Sequence, residues 1–339
     1  MVRLIGKIDE FKGYWRNSTE VTPERLAALK QVATIESVGS STRIEGAKLS
    51  DQDVEQLLSG LSTQSFKTRD EQEVVGYAEV MKIVFDNSAA IPLSENHIKQ
   101  LHRDLLKHSV KDERHRGDYK TVPNHVEATE PDGTKYIVFE TTTPFDTPFQ
   151  MTELVDWINE NIQKQDIHSL VTTAAFVAEF LAIHPFKDGN GRLSRVLTTL
   201  ILLKAGYSYV PFSSLESIIE QNKQSYYLAL RKTQQTLKEE APNWDPWLNF
   251  FLQSMHKQME KLKEKIEREI KLQPNLPTLS IRILEIVRDR GSVQMSDLED
   301  LLGESRSTIK NRVQDLVAAD YLSKNGKARA TWYTRGPKK

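Results

Sequence analysis

Apolar residues recur at helical spacing along most of the chain. Leu170, Ala174, Val177 and Leu181 share one face of a predicted helix. Leu193, Val196, Leu197, Leu200 and Ile201, at i, i+3, i+4, i+7 and i+8, share one face of the next, with Gly206 as its stop. Upstream, Leu26, Leu29 and Ala33 mark a helix that opens on Thr22-Pro23-Glu24 and whose pattern ends near Gly39. Residues 1–21 show no clean period and read as irregular or extended. Three further helices follow over 51–112, carried by Val54, Leu57, Leu58 and Leu61, by Val74, Val75, Tyr77, Ala78 and Met81, and by Ile98, Leu101, Leu105 and Leu106. His97, His102 and His108 fall in this zone without a metal-ligand spacing and read as structural or solvated. A helix from Ser213-Ser214-Leu215-Glu216 runs through Tyr226, Tyr227 and Leu230. A long one over 246–272 is apolar at first and then charged.

The helical period breaks twice. Over 113–148, Val122, Val126, Tyr136, Ile137, Val138 and Phe139 flank Pro131-Asp132-Gly133, which predicts a β-hairpin. Pro144 and Pro148 close that segment, and Thr152 or Glu153 opens the next helix. The second break is Gln273-Pro274-Asn275-Leu276-Pro277, a linker. Beyond it, Ile281, Leu284 and Val287 mark a helix stopped by Gly291. Ser296-Asp297-Leu298-Glu299 reads as a capping box for a second helix, stopped by Gly303. Ser305 or Ser307 opens a third, with Ile309, Val313, Leu316 and Val317 inward. A hairpin at Asn325-Gly326 completes the set.

Composition narrows the function classes. The 339 residues hold 46 basic and 47 acidic side chains, so whole-chain charge favours neither nucleic acid nor membrane. No cysteine is present, which excludes thiol catalysis, disulfides and cysteine-held metal. The first residues lack the apolar core of a signal peptide, and the apolar run from Leu170 to Ile183 is too short to span a bilayer. The expectation is a cytoplasmic protein with no membrane partner.

The chemistry concentrates in His184-Pro185-Phe186-Lys187-Asp188-Gly189-Asn190-Gly191-Arg192-Leu193-Ser194-Arg195, the loop between two buried helices and the first turn of the second. A helix N-terminus offers free N–H groups and a positive dipole end. Gly189 and Gly191, with Asn190 between them, permit a nest of N–H donors around an anion. Arg192 and Arg195 project to the same side, and two guanidinium forks beside a nest suit phosphate. Asp188 adds a hard oxygen ligand of the kind Mg²⁺ shares with substrate phosphates. His184 can accept a proton at neutral pH.

These residues resemble the Fic family, whose motif reads His-Pro-Phe-x-Asp/Glu-Gly-Asn-Gly-Arg-x-x-Arg and is matched at every specified position. The resemblance implies transfer of AMP from ATP to a Ser, Thr or Tyr hydroxyl of a target protein, or of the chain itself, with release of pyrophosphate. His184 would be the base, Asp188 the Mg²⁺ ligand, and Gly189, Asn190, Gly191, Arg192, Leu193, Ser194 and Arg195 the phosphate contacts. Phe186 would anchor the loop. The hairpin would be the flap that holds the target segment by strand addition, with Lys120 standing where relatives often have Arg. Tyr226 and Tyr227 match the paired tyrosines beside the adenosine.

A second stretch, Ser41-Thr42-Arg43-Ile44-Glu45-Gly46, fits the inhibitory motif Ser/Thr-x-x-x-Glu-Gly/Asn of the same family. The resemblance implies that Ser41, Glu45 and Gly46 form an N-terminal brake in which Glu45 pairs with Arg195 and takes the place of the γ-phosphate. The C-terminal pattern resembles a winged helix-turn-helix, exposing Arg306, Lys310, Asn311 and Gln314 on its third helix and Lys324, Lys327 and Arg329 on its wing. The expected architecture is mainly α: an N-terminal helical region with the brake over 1–92, a Fic catalytic domain with a β-hairpin flap over 93–272, and a winged helix over 273–339. Members of the family often dimerise. Two alternatives stay open: a DNA-binding regulator whose Fic core senses nucleotide, and a Fic enzyme that uses another nucleotide or removes AMP.

Overall fold

A computed structural model describes residues 1–339 apart from 18–20, 22, 61–65, 67, 130–134, 272–275, 327–330 and 338–339. The expected cap at Thr22, the turn at Pro131-Asp132-Gly133, the linker at 273–275 and the wing residues Lys327 and Arg329 lie outside the described residues.

The N-terminus is helical rather than irregular or extended: α1 spans Val2–Asn17. Leu4, Ile8, Phe11 and Trp15 do follow helical spacing, but Lys7, Asp9, Glu10 and Lys12 interleave with them. Phe11 packs edge-on to Tyr209 and Trp15 against Phe212, so the stripe finds its partner in a distant segment. Helix α2 (Pro23–Ile44) does not stop at Gly39 but runs five residues further. Gly39, Ser40, Ser41 and Thr42 are all buried, and small residues let this end of α2 approach its neighbours closely. The apolar pattern ends at Gly39 because the contact surface there is polar.

Helices α3 (Asp51–Ser59), α4 (Arg69–Asn87) and α5 (Glu95–Leu105) follow; Ser50 and Thr68 form capping boxes for the first two and Ser94 caps the third. Strands β1 (His125–Thr129) and β2 (Lys135–Glu140) pair antiparallel as expected, with a bulge between Val126 and Glu127. Helix α6 (Thr147–Lys164) begins earlier than Thr152. Pro148 does not close the preceding segment but lies in the first turn of α6, where its missing N–H costs nothing. Then come the central pair α7 (Ser169–Ile183) and α8 (Asn190–Lys204). The single helix expected from Ser213 is two, α9 (Leu215–Gln221) and α10 (Lys223–Gln234), broken at Asn222. Helix α11 (Asp245–Lys271) packs back across α1, α7, α9 and α10. One apolar cluster joins α1 to α11, with Phe176, Phe180, Leu193, Leu197 and Leu200 fully enclosed.

A second, separate apolar cluster holds α12 (Thr278–Arg290), α13 (Met295–Leu302), α14 (Arg306–Ala318) and a small antiparallel sheet. Its strands are β3 (Ser292–Gln294), β4 (Leu322–Asn325) and β5 (Trp332–Arg335), in the order β3-β5-β4. The expected capping box is displaced: α13 starts at Met295, and Asp297 accepts the Gln294 N–H at 2.8 Å, two residues before the motif read from Ser296. Ser305 caps α14. Helix α12 rests on α2, and α13 on α3.

Candidate active site

The site is the α7–α8 turn. Helix α7 ends because His184 adopts a left-handed conformation, φ 52°, with its N–H on the Phe180 carbonyl, and Pro185 cannot continue the helix. Asn190 then clamps the loop to itself: its Oδ1 accepts the Phe186 N–H at 2.9 Å and its Nδ2 donates to the Phe186 carbonyl at 2.7 Å. Phe186 is fully buried and stacks on His102 at 3.8 Å. Gly189, φ 80°, opens α8. The first intrahelical bond runs from Leu193 N–H to Gly189 O, so the N–H groups of Asn190, Gly191 and Arg192 precede the helical ladder and face outward from its positive end.

His184 Nδ1 lies 3.3 Å from the Leu181 carbonyl, which makes that nitrogen the donor and leaves Nε2 with a lone pair. Burial lowers its pKa to about 4; the Leu181 carbonyl opposes this and the Lys120 charge adds to it. The imidazole is therefore a neutral proton acceptor at pH 7. Lys120 itself is buried, which brings its pKa down to about 8 through desolvation, and its Nζ donates to Asn124, Thr141 and the Ile183 carbonyl. Its backbone N–H bonds the Pro185 carbonyl at 2.8 Å. The base of the β-hairpin is thus tied to the backbone on both sides of His184.

Four charged side chains close a ring at the other lip. Arg69 Nη2 lies 2.9 Å from Asp188 Oδ2 and its Nε 2.7 Å from Glu73 Oε1. Arg192 Nη1 lies 3.2 Å from Glu73 Oε2 and its Nη2 3.3 Å from Asp188 Oδ1. Asp188 Oδ1 also accepts the Gly189 N–H at 2.6 Å. Burial would raise the Asp188 carboxyl, but Arg192, the Gly189 N–H and Arg69 hold it below its ordinary value.

Arg195 is buried. Its Nη2 meets Glu45 Oε1 at 2.7 Å and the Ser41 carbonyl at 2.9 Å, and its Nε donates to Ser41 Oγ at 2.8 Å. The end of α2 therefore grips one guanidinium by three acceptors. Glu45 also lies over the nest: a Cβ at Gly191 would stand 2.2 Å from Glu45 Oε1, so only glycine allows the carboxylate this close. Gly46, φ 109°, turns the chain away immediately after it.

The other expected site residues separate. Leu193 is fully buried and its N–H is held by Gly189 O, so it offers no donor. Ser194 donates its hydroxyl to the Gly191 carbonyl. Tyr226 is enclosed by Trp247, Phe250 and Tyr227, while Tyr227 is 41 % exposed. Two buried donors, Arg192 Nε and Arg195 Nη1, have no hydrogen-bond acceptor among the described residues. That is an unfilled demand for anion oxygens, and it fits a polyphosphate. Among the described residues no cluster of three or more His, Asp or Glu could hold a metal. A single carboxylate beside a phosphate cradle fits Mg²⁺, which takes one or two carboxylates and completes its shell with phosphate and water.

Several members of the site went unread in the sequence. His102 is structural rather than solvated: it accepts the Gly117 N–H on Nδ1 at 2.8 Å and donates from Nε2 to the Asp188 carbonyl at 2.9 Å. Arg69, Glu73 and Asn124 come from segments remote from the motif. The only sequence signal for Arg69 and Glu73 is their i, i+4 spacing, which marks any surface pair.

Residues 92–202 match the Fic/DOC family. The chain carries a Fic domain. Curated relatives include the protein adenylyltransferase Fic of Drosophila grimshawi, 28% identical over 223 residues, 64% of this chain and 42% of that protein. Another is the protein adenylyltransferase and cysteine protease IbpA of Histophilus somni, 40% identical over 78 residues, 23% of this chain and 2% of that protein. The chain thus spans less than half the length of the curated relatives it matches. Among solved structures, a Fic family protein from Desulfovibrio desulfuricans aligns with a TM-score of 0.62 at 20% identity, covering 100% of this chain and 96% of that one. A Fic domain containing signaling protein from Bacteroides thetaiotaomicron aligns at 0.56 and 23%, covering 89% and 98%. The mainly helical Fic fold accordingly extends beyond the matched segment. Among the described residues, no helix is long and apolar enough to cross a membrane.

Proposed function

We propose that this protein is an adenylyltransferase that moves AMP from ATP to a hydroxyl of a target protein or of itself, and that Glu45 restrains it. The observation that carries the reading is the convergence on one turn of a neutral His184 with a free Nε2, an open N–H nest at Asn190–Arg192, and two buried guanidiniums that each keep an N–H group without an acceptor, Arg192 Nε and Arg195 Nη1. His184 takes the proton of the attacking hydroxyl. The nest, Arg192 and Arg195 hold the phosphates and stabilise the charge that develops on them. Asp188 would hold Mg²⁺, which would supply positive charge against the phosphates and the departing pyrophosphate. Glu45 occupies the guanidinium of Arg195 and covers Gly191, so a triphosphate bound with Glu45 in place cannot reach the full cradle. The relatives named as adenylyltransferases support the reaction class.

The test is AMP incorporation from α-labelled ATP with Mg²⁺, using self-modification as the readout. Glu45→Gly should raise incorporation strongly over the native chain, and His184→Ala in that background should abolish it while nucleotide affinity stays. No incorporation by either protein would move the reading to another nucleotide or to removal of AMP. A second reading has its own observation: Arg306, Lys310, Asn311 and Gln314 stand exposed along α14, the positions from which a recognition helix would contact DNA.

A further inference from the structure

Both oxygens of Asp188 are already engaged. Its Oδ1 accepts from Gly189 N–H and Arg192, and its Oδ2 from Arg69. Both cations also hold Glu73, one on each oxygen. Two guanidiniums and two carboxylates thus alternate around a closed ring of zero net charge. Three members sit on rigid ground: Arg192 and Glu73 are buried, and Asp188 is fixed by the loop. Arg69 differs. It enters from the first turn of α4, its side chain is 49% exposed, and it alone can leave without stranding a buried cation.

Resting on the reading that Asp188 is the metal ligand, we infer that Arg69 is a positioning residue that makes metal binding conditional on phosphate. In the resting chain the Arg69 guanidinium stands in for the metal's charge at Asp188 Oδ2. That oxygen becomes open to a divalent cation only when Arg69 swings off it, and the displaced guanidinium then needs another anion. Its Nε stays within reach of Glu73, so the fork remains at the lip of the cradle. Phosphate oxygens of the incoming nucleotide are the anion that arrives there. A bare cation is opposed by an ion pair it must break, whereas a cation bound to a polyphosphate brings the replacement partner for Arg69. Metal and phosphate are then coupled through one side chain, and the coupling is reciprocal.

The test is Mn²⁺ binding to the full chain by electron paramagnetic resonance, first without nucleotide and then with ADP. The native protein should bind Mn²⁺ weakly alone and markedly more tightly with ADP. Arg69→Gln should bind Mn²⁺ alone more tightly than native, by about fivefold or more, and gain correspondingly less from ADP. Arg69→Lys keeps the charge and should stay near native. Asp188→Asn should lose Mn²⁺ in both conditions. Equal Mn²⁺ affinity of Arg69→Gln and the native chain, with Asp188→Asn still losing it, would overturn the coupling by Arg69. Undiminished binding by Asp188→Asn would overturn the metal role of Asp188 itself, and the inference with it.

Discussion

At the scale of single residues, the site is governed by which atom each side chain has left to offer. His102 and His184 both titrate near pH 4 because burial disfavours the imidazolium. In His102 both nitrogens are committed, Nδ1 as acceptor and Nε2 as donor, which specifies one neutral tautomer. The consequence for stability has a definite sign. The unfolded chain takes up a proton at each histidine below about pH 6.5, and the folded chain does so only near 4. Stability is therefore complete above pH 6.5 and falls as the pH drops toward 4, by roughly 3 kcal/mol for the fully buried His102. Urea unfolding at pH 7.5 and pH 5 should show a lower midpoint at pH 5, and His102→Asn should flatten that difference. The same depression keeps the Nε2 lone pair of His184 available from pH 8 down to about 5, so the acidic limb of the rate profile should lie below pH 6. A rate that halves near pH 6.5 would contradict the neutral base.

At the scale of elements, the end of α2 is the part whose position matters most. Arg43, inside the Ser41–Gly46 stretch, reaches away from the α7–α8 turn. Its Nη1 pairs with Asp51 at 2.9 Å and bonds the Leu49 carbonyl at 3.0 Å, while Nε and Nη2 take both oxygens of Glu220 at 2.6 and 3.0 Å. One guanidinium thus pins the last turn of α2 to α3 and α9, two residues before Glu45. Gly39 makes room for it: a Cβ there would stand 2.6 Å from both Arg43 Nη1 and Asp51 Oδ1. Arg43→Ala should loosen Glu45 and raise AMP incorporation, by about fivefold or more, and should add nothing in a Glu45→Gly background. An equal effect in both backgrounds would mean that Arg43 acts on the catalytic turn rather than through Glu45.

At the scale of the whole molecule, the C-terminal cluster does not merely trail the Fic core. Helix α12 packs on α2 and α13 on α3, with Arg282 3.6 Å from Glu55. The helix that leads into Glu45 therefore has the α7–α8 turn at one end and the C-terminal helices along its side. If α14 contacts nucleic acid, binding should weaken with salt, and Lys310→Ala should reduce the salt slope by about 1. Binding that ignores salt, or none to mixed-sequence duplex, would leave α14 as a protein-contact face.

What could be read from the chain alone was whatever is local in sequence. The α7–α8 turn, its nest and its two arginines were legible because twelve consecutive residues carry them, and helix starts announced themselves by Ser50, Ser94 and Ser305. The Ser41–Gly46 motif was legible as a motif, and its pairing with Arg195 is present in the structure. What the tertiary structure decided is whatever needs two remote segments to meet. Helix α1 looks unpatterned until Tyr209 and Phe212 face it. His102 looks idle until Asp188 and Gly117 take its two nitrogens, and Arg69 and Glu73 look like a surface pair until Asp188 and Arg192 close their ring. Periodicity reports burial along one helix. It carries no information about which carboxylate a distant guanidinium will find, and that choice is made only when the packed core sets the segments side by side.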